Sequence, residues 1–143
     1  MDKQTARKLC EAAIQGAKNA FTGTNKPDDF RCGAAVLTSN GNIYSSGQYF
    51  SDTHSLTLHA EQAALVHAAA HGEYGILAIT VTGNDNTGNG KNIYPCHMCK
   101  QLLWETHLRS KHEMEIILCD FSGKAIEKLK ISKIMSHAWP AKD

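Results

Sequence analysis

The chain has 143 residues, with 15 Lys and Arg against 14 Asp and Glu, a net charge of +1, and 42% hydrophobic residues. That is the size of one domain with a real core, spanning 1–143. Balanced charge offers no basic stripe to a nucleic-acid backbone, and the longest apolar run is far too short to cross a bilayer. The opening residues, Met1-Asp2-Lys3-Gln4-Thr5, lack the apolar core of a signal peptide, so a cytoplasmic protein is expected.

Residues 3–20 carry Leu9, Ala12, Ala13, Ile14 and Ala17 at helical spacing, which predicts an amphipathic helix. Residues 22–29 have loop composition. An apolar run over 32–38, an Asn40-Gly41 turn signal and a second run over 43–48 predict a β-hairpin. Residues 59–71 are alanine-rich nearly all round, which predicts a buried helix ended by Gly72. A β-branched run over 76–82 predicts a buried strand. Residues 83–92 hold three glycines and four asparagines and read as a loop beside the site. Pro95 suits the start of a helix over 96–107. Strands are predicted over 115–119 and 125–131, joined by the tight turn Phe121-Ser122-Gly123. Helices alternating with strands predict a three-layer α/β/α sandwich around one mixed, five-stranded sheet.

Two motifs carry chemistry. His59-Ala60-Glu61 stands at the start of one predicted helix, and Pro95-Cys96-His97-Met98-Cys99 at the start of another. Cys96 and Cys99, at i and i+3, share a helix face. A helix N-terminus favours the thiolate that a metal needs. One imidazole and two thiolates make three zinc ligands. Catalytic zinc sites leave the fourth place to water, whereas structural sites fill it with protein. Glu61 then stands where a carboxylate can move that water's proton. The donor set is neutral on zinc, and fewer donated negative charges make bound water more acidic.

A redox dithiol is the alternative for Cys96 and Cys99, but it needs no remote His-x-Glu partner. Five cysteines are an odd number and do not suggest a disulfide framework. Cys10, Cys32 and Cys119 read as small buried thiols. Trp104 reads as core. The histidines other than His59 read as surface or packing residues, with His97, between the two cysteines, the closest to a rival ligand.

With these residues in place, the chain resembles the cytidine deaminase superfamily, in particular its small free-nucleoside type, the cytidine and blasticidin S deaminases. Phe30-Arg31-Cys32-Gly33-Ala34-Ala35 is similar to their Phe-x-Val-Gly-Ala-Ala strand. Leu56-Thr57-Leu58-His59-Ala60-Glu61 is similar to Leu-Thr-Ile-Cys-Ala-Glu, and Pro95 to Gln101 to Pro-Cys-Gly-x-Cys-Arg-Gln. Ile134 to Trp139 resembles Leu-Leu-Pro-x-Ala-Phe, and Gly83-Asn84-Asp85-Asn86 is most similar to blasticidin S deaminase. Only a tight turn fits between Cys119 and Ala125, so the last two strands must be antiparallel, as in this subgroup.

The resemblance implies a zinc-dependent aminohydrolase acting on a free cytosine-type nucleoside or analogue. His59, Cys96 and Cys99 would hold Zn2+, and Glu61 would shuttle the proton. Phe30 would stack on the base, and the backbone of Ala60 would bond its polar edge. A homotetramer is implied, with a dimer as the alternative, and Trp139 would cap a neighbouring subunit's site. Two positions depart from the subgroup. His59 replaces Cys, and neutral Gln62 stands where Cys-ligated relatives often have Arg; one lost thiolate offsets one lost cation. The ribose-binding Asn-x-Glu aligns with Gln48-Tyr49-Phe50. Gln48 can still bond a hydroxyl, but Phe50 cannot accept one. That points to a modified cytosine nucleoside, or to another aminated heterocycle of guanine, pterin or triazine type. A structural-zinc or nucleic-acid-binding module is the rival from outside enzymology.

Overall fold

A computed structural model describes residues 1–85 and 93–142. Helix α1 (Lys3–Lys18) starts at Asp2, whose carboxylate accepts the Thr5 amide at 2.7 Å. Strands β1 (Cys32–Thr38) and β2 (Ile43–Gly47) form the expected hairpin, with Gly41 at φ +85° in its turn. Helix α2 (Ala60–Ala70), β3 (Ile76–Gly83), α3 (His97–Ser110), β4 (Glu115–Cys119), β5 (Ala125–Lys130) and a short α4 (Ile131–Ile134) complete the order.

The sheet runs β2-β1-β3-β4-β5, with β3 and β4 parallel and every other pair antiparallel. The last pair is antiparallel because Asp120 closes its turn: one carboxylate oxygen takes the Ser122 and Lys124 amides. Side chains alternate across the sheet with period two. Ala35, Ala78 and Ile117 face α1, where Leu9, Cys10, Ala13 and Ile14 meet them. Ala34, Val36, Ile79, Val81, Ile116 and Leu118 face Ala60, Ala64, Ala68, Leu103 and Trp104 of α2 and α3. The chain is thus a three-layer α/β/α sandwich.

Close backbone approach explains two glycines. A β-carbon on Gly33 would stand 2.1 Å from the Ala13 carbonyl oxygen, and one on Gly47 would stand 2.3 Å from that of Gly16. Both are far inside contact distance, so α1 rests directly on the hairpin.

Several expectations shift. Helix α1 stops at Lys18, α3 continues to Ser110, and α4 carried no sequence signal of its own. The predicted buried helix over 59–71 is one-sided: Ala60, Glu61, Ala64 and Ala68 are buried, while Val66 is 67% exposed. Alanine forms helix well on either face, so its abundance fixes the helix without fixing what covers it. Of the predicted loop over 83–92, Gly83 ends β3 and 84–85 form a turn; 86–92 lie outside the described residues.

Candidate active site

His59 is the N-cap of α2 and Cys96 the N-cap of α3, with Cys99 one turn in. Strand β3 lies between them in the chain, and both helix starts meet. His59 Nδ1 lies 3.3 Å from each of the two Sγ atoms. Tetrahedral zinc, with bonds of about 2.3 Å to sulfur and about 2.0–2.1 Å to nitrogen, sets that edge near 3.5 Å. All three donors lie within 4.8 Å of one another, and they are the sole group of three metal-ligating side chains among the described residues. The donor set and its spacing fit zinc. His97 is exposed and stays outside the group.

The cap geometry has a support that charge alone did not reveal. The His59 backbone N–H donates to Gln62 Oε1 at 2.9 Å, half of a capping box that fixes where the helix begins. Burial pushes the Cys99 thiol well above the ordinary range, and the Glu61 carboxylate adds to that shift. A bound cation would hold Cys99 as thiolate against both. Glu61 is 6% exposed, and burial raises its carboxyl above the usual range. Its own backbone amide, Cys99 and His59 pull the other way.

These groups open onto a cavity of about 490 Å³. His59, Glu61 and Cys96 line it together with Phe30, Gln48 and Phe50. Phe30 is 50% exposed. Phe50 packs on the backbone of Gly23, where an added β-carbon would come within 2.6 Å of the ring. Gln48 is largely engaged: its Oε1 accepts the Cys32 amide and its Nε2 donates to the Phe30 carbonyl, both at 2.9 Å.

The Ala60 side chain is fully buried, and its backbone amide bonds the Cys32 thiol. Trp139 is 77% exposed and lies outside the cavity of its own chain; its carbonyl accepts Gln101 Nε2 at 2.7 Å.

The cavity also has walls that the motifs did not announce: Cys32, Tyr94, Thr22 and Asp29. Cys32 was expected as core, but it sits two residues along the strand from Phe30 and so faces the same side. Burial, then Glu61, pushes its thiol up to about 12. Tyr94 precedes the Pro95-Cys96 pair and donates to Glu127 at 2.9 Å. Cys10 and Cys119 are buried as expected, as is Trp104, whose Nε1–H donates to the Pro140 carbonyl at 2.8 Å.

The model of the cytidine and deoxycytidylate deaminase zinc-binding region matches residues 3–112. The chain belongs to that family. As a member with an intact His/Cys/Cys group, it is a zinc-dependent aminohydrolase. A cytidine deaminase of Halalkalibacterium halodurans is 26% identical over 143 residues, which is 100% of this chain and 98% of that one. A cytidine deaminase of Klebsiella pneumoniae is 32% identical over 131 residues, covering 80% of this chain but only 41% of the longer protein. The crystal structure of cytidine deaminase from Burkholderia pseudomallei superposes with a TM-score of 0.77 at 25% identity, over 97% of this chain and 100% of that one. No helix among the described residues is long and apolar enough to cross a membrane.

Proposed function

We propose that the chain hydrolyses the exocyclic amine of a free cytosine-type nucleoside, cytidine or deoxycytidine or a modified cytidine of the blasticidin S kind, releasing ammonia. The observation that carries this reading is the convergence of His59, Cys96, Cys99 and Glu61 at the end of a cavity walled by Phe30. Zinc held by the two thiolates and the imidazole supplies a Lewis acid that acidifies water. Phe30 lays its face on the pyrimidine, and the apolar walls exclude bulk water. Glu61, buried beside the ligands, takes a proton from the attacking water and returns it to the ring nitrogen and the departing amine. Water and substrate thus become a uracil-type product and ammonia, with no other reactant.

The test is Glu61→Gln. Zinc content should stay at that of the wild-type chain, while kcat falls by about 10²–10⁴-fold, the usual share of a positioned acid–base group. A Glu61→Gln enzyme with wild-type ammonia release rules the mechanism out. Phe50 favours one further reading, a deaminase of a guanine-, pterin- or triazine-type base, because an aromatic ring stands where ribose needs an acceptor. A panel of aminated heterocycles assayed for ammonia separates the two. A metal-binding module without turnover would release none from any of them.

The assembly reading is a homotetramer in the cytoplasm, with a dimer as the alternative. Leu58, Val66 and Tyr74 are exposed beside a groove between α2 and α3, a face suited to a second copy. The exposed Trp139 suits the cap of a neighbour's cavity. Light scattering decides the number of subunits.

A further inference from the structure

Tyr94 is the cavity residue that the motifs leave without a task. It lines the cavity in company with His59, Glu61 and Cys96, and it stands two residues ahead of the Cys96 ligand. The chain between them is stiff, because Pro95 fixes its own φ and Cys96 is already the N-cap of α3. The side chain is less confined. Tyr94 is 46% exposed, so packing covers only part of it.

A bond to the sheet makes up the difference. The Tyr94 hydroxyl donates to Glu127 Oε2 at 2.9 Å, across a separation of 33 residues. Glu127 belongs to β5, where it stands opposite Leu118 of β4, and Leu118 is fully buried in the core. The acceptor is therefore carried by the sheet and not by a loop. A carboxylate acceptor also makes this bond stronger than one between neutral groups. A phenol has one hydrogen to donate, and Glu127 takes it. While the bond holds, Tyr94 brings its ring to the cavity and donates nothing to a substrate.

We propose that Glu127 is a positioning residue for substrate binding, which holds the Tyr94 ring in place as a fixed wall of the active site. This goes beyond the nucleoside reading, since it rests on the cavity and not on which aminated ring fills it. A ring held before the substrate arrives adds no ordering cost to binding. Released from Glu127, the same ring must be ordered as the substrate enters. That loss falls on KM, while zinc and Glu61 keep kcat.

The experiment measures kcat, KM for cytidine, bound zinc and Tm in the wild type and in variants at the two positions. Tyr94→Ala removes the wall and should raise KM about tenfold. Tyr94→Phe and Glu127→Ala break one bond from its two sides, so each should raise KM about threefold to fivefold. Combined, they should do no more than either alone, because the second change finds the bond already gone. Glu127→Gln keeps an acceptor for the hydroxyl and should restore KM to within about twofold. Zinc content and kcat should hold throughout. A merely structural role for Glu127 would lower Tm equally with Tyr or Phe at 94 and would leave KM alone. Wild-type KM in Tyr94→Ala or in Glu127→Ala overturns the proposal. So do additive effects in the double variant, or a loss of zinc in Glu127→Ala, which would make Glu127 a support of Cys96 instead. Should Glu127→Ala fail to fold, Tyr94→Phe removes the same bond and decides the matter, with wild-type KM again fatal. Ammonia from a guanine- or triazine-type base, with none from cytidine, overturns the nucleoside reading alone; the same KM series on that base then decides the role of Glu127 separately.

Discussion

The two ends of the cavity are made differently. The metal end is built from helix starts: His59 and Cys96 are N-caps, Cys99 and Glu61 sit in first turns, and all are tied to the sheet by buried residues. The far end is built from irregular chain, with Asp29 and Phe30 on one loop and Gln48 and Phe50 beyond the end of β2. Reactivity sits on rigid elements, where a ligand can be held to a few tenths of an ångström. Selectivity sits on connecting segments, where residues change without disturbing the sheet.

If that division is right, damage at the metal end should be near-total and damage at the far end graded. The largest effect should come from Cys99→Ala. It removes one of three ligands, and both bound zinc by elemental analysis and ammonia release should fall to background. Substantial activity with two remaining ligands would break the division at its strongest point. Next comes Gly33→Ala, which touches neither end. Its methyl would drive into the Ala13 carbonyl and the Ala17 amide of α1. Overpacking of this kind costs about 1–3 kcal/mol, so Tm should fall by several degrees while KM of the folded enzyme holds.

Phe30→Ala should be milder and confined to binding, raising KM about tenfold through lost ring contact with little change in zinc content. A fall in kcat alone would show that Phe30 positions the reacting atoms instead. The smallest effect should come from Cys32→Val, which keeps size on the cavity wall and should leave kcat within about threefold. With its pKa pushed up to about 12, the Cys32 thiol has almost no thiolate at pH 8. Peptide mapping after iodoacetamide treatment at that pH should find it unmodified, and ready alkylation would disprove its protonated state.

The sequence made the metal end legible because its constraints are local. A histidine two residues before a glutamate, and two cysteines three apart after a proline, report helix starts and ligand faces directly. The layered architecture followed from alternating helices and strands, and the antiparallel last pair from the length of the 120–124 turn. The far end was harder. Asp29 and Gln48 come from segments joined by long-range bonds, such as Gln48 to the Phe30 carbonyl, that no spacing rule reports. Cys32 looked like core because one strand can face a helix on one side and a cavity on the other. Gln62 was visible as a missing charge, but its hold on the His59 amide needed coordinates. Alanine in α2 gave the helix and not its exposure.

The tail reaches further into the protein than its exposure suggests. Gln101 and Trp104, on the helix that carries Cys99, place their amide and indole hydrogens on the carbonyls of Trp139 and Pro140. Cutting the chain ahead of residue 139 would strand two donors against that helix, one of them on a buried indole. A short C-terminal deletion, easily made for expression or tagging, is therefore an intervention on the helix that grips zinc and should be controlled as one.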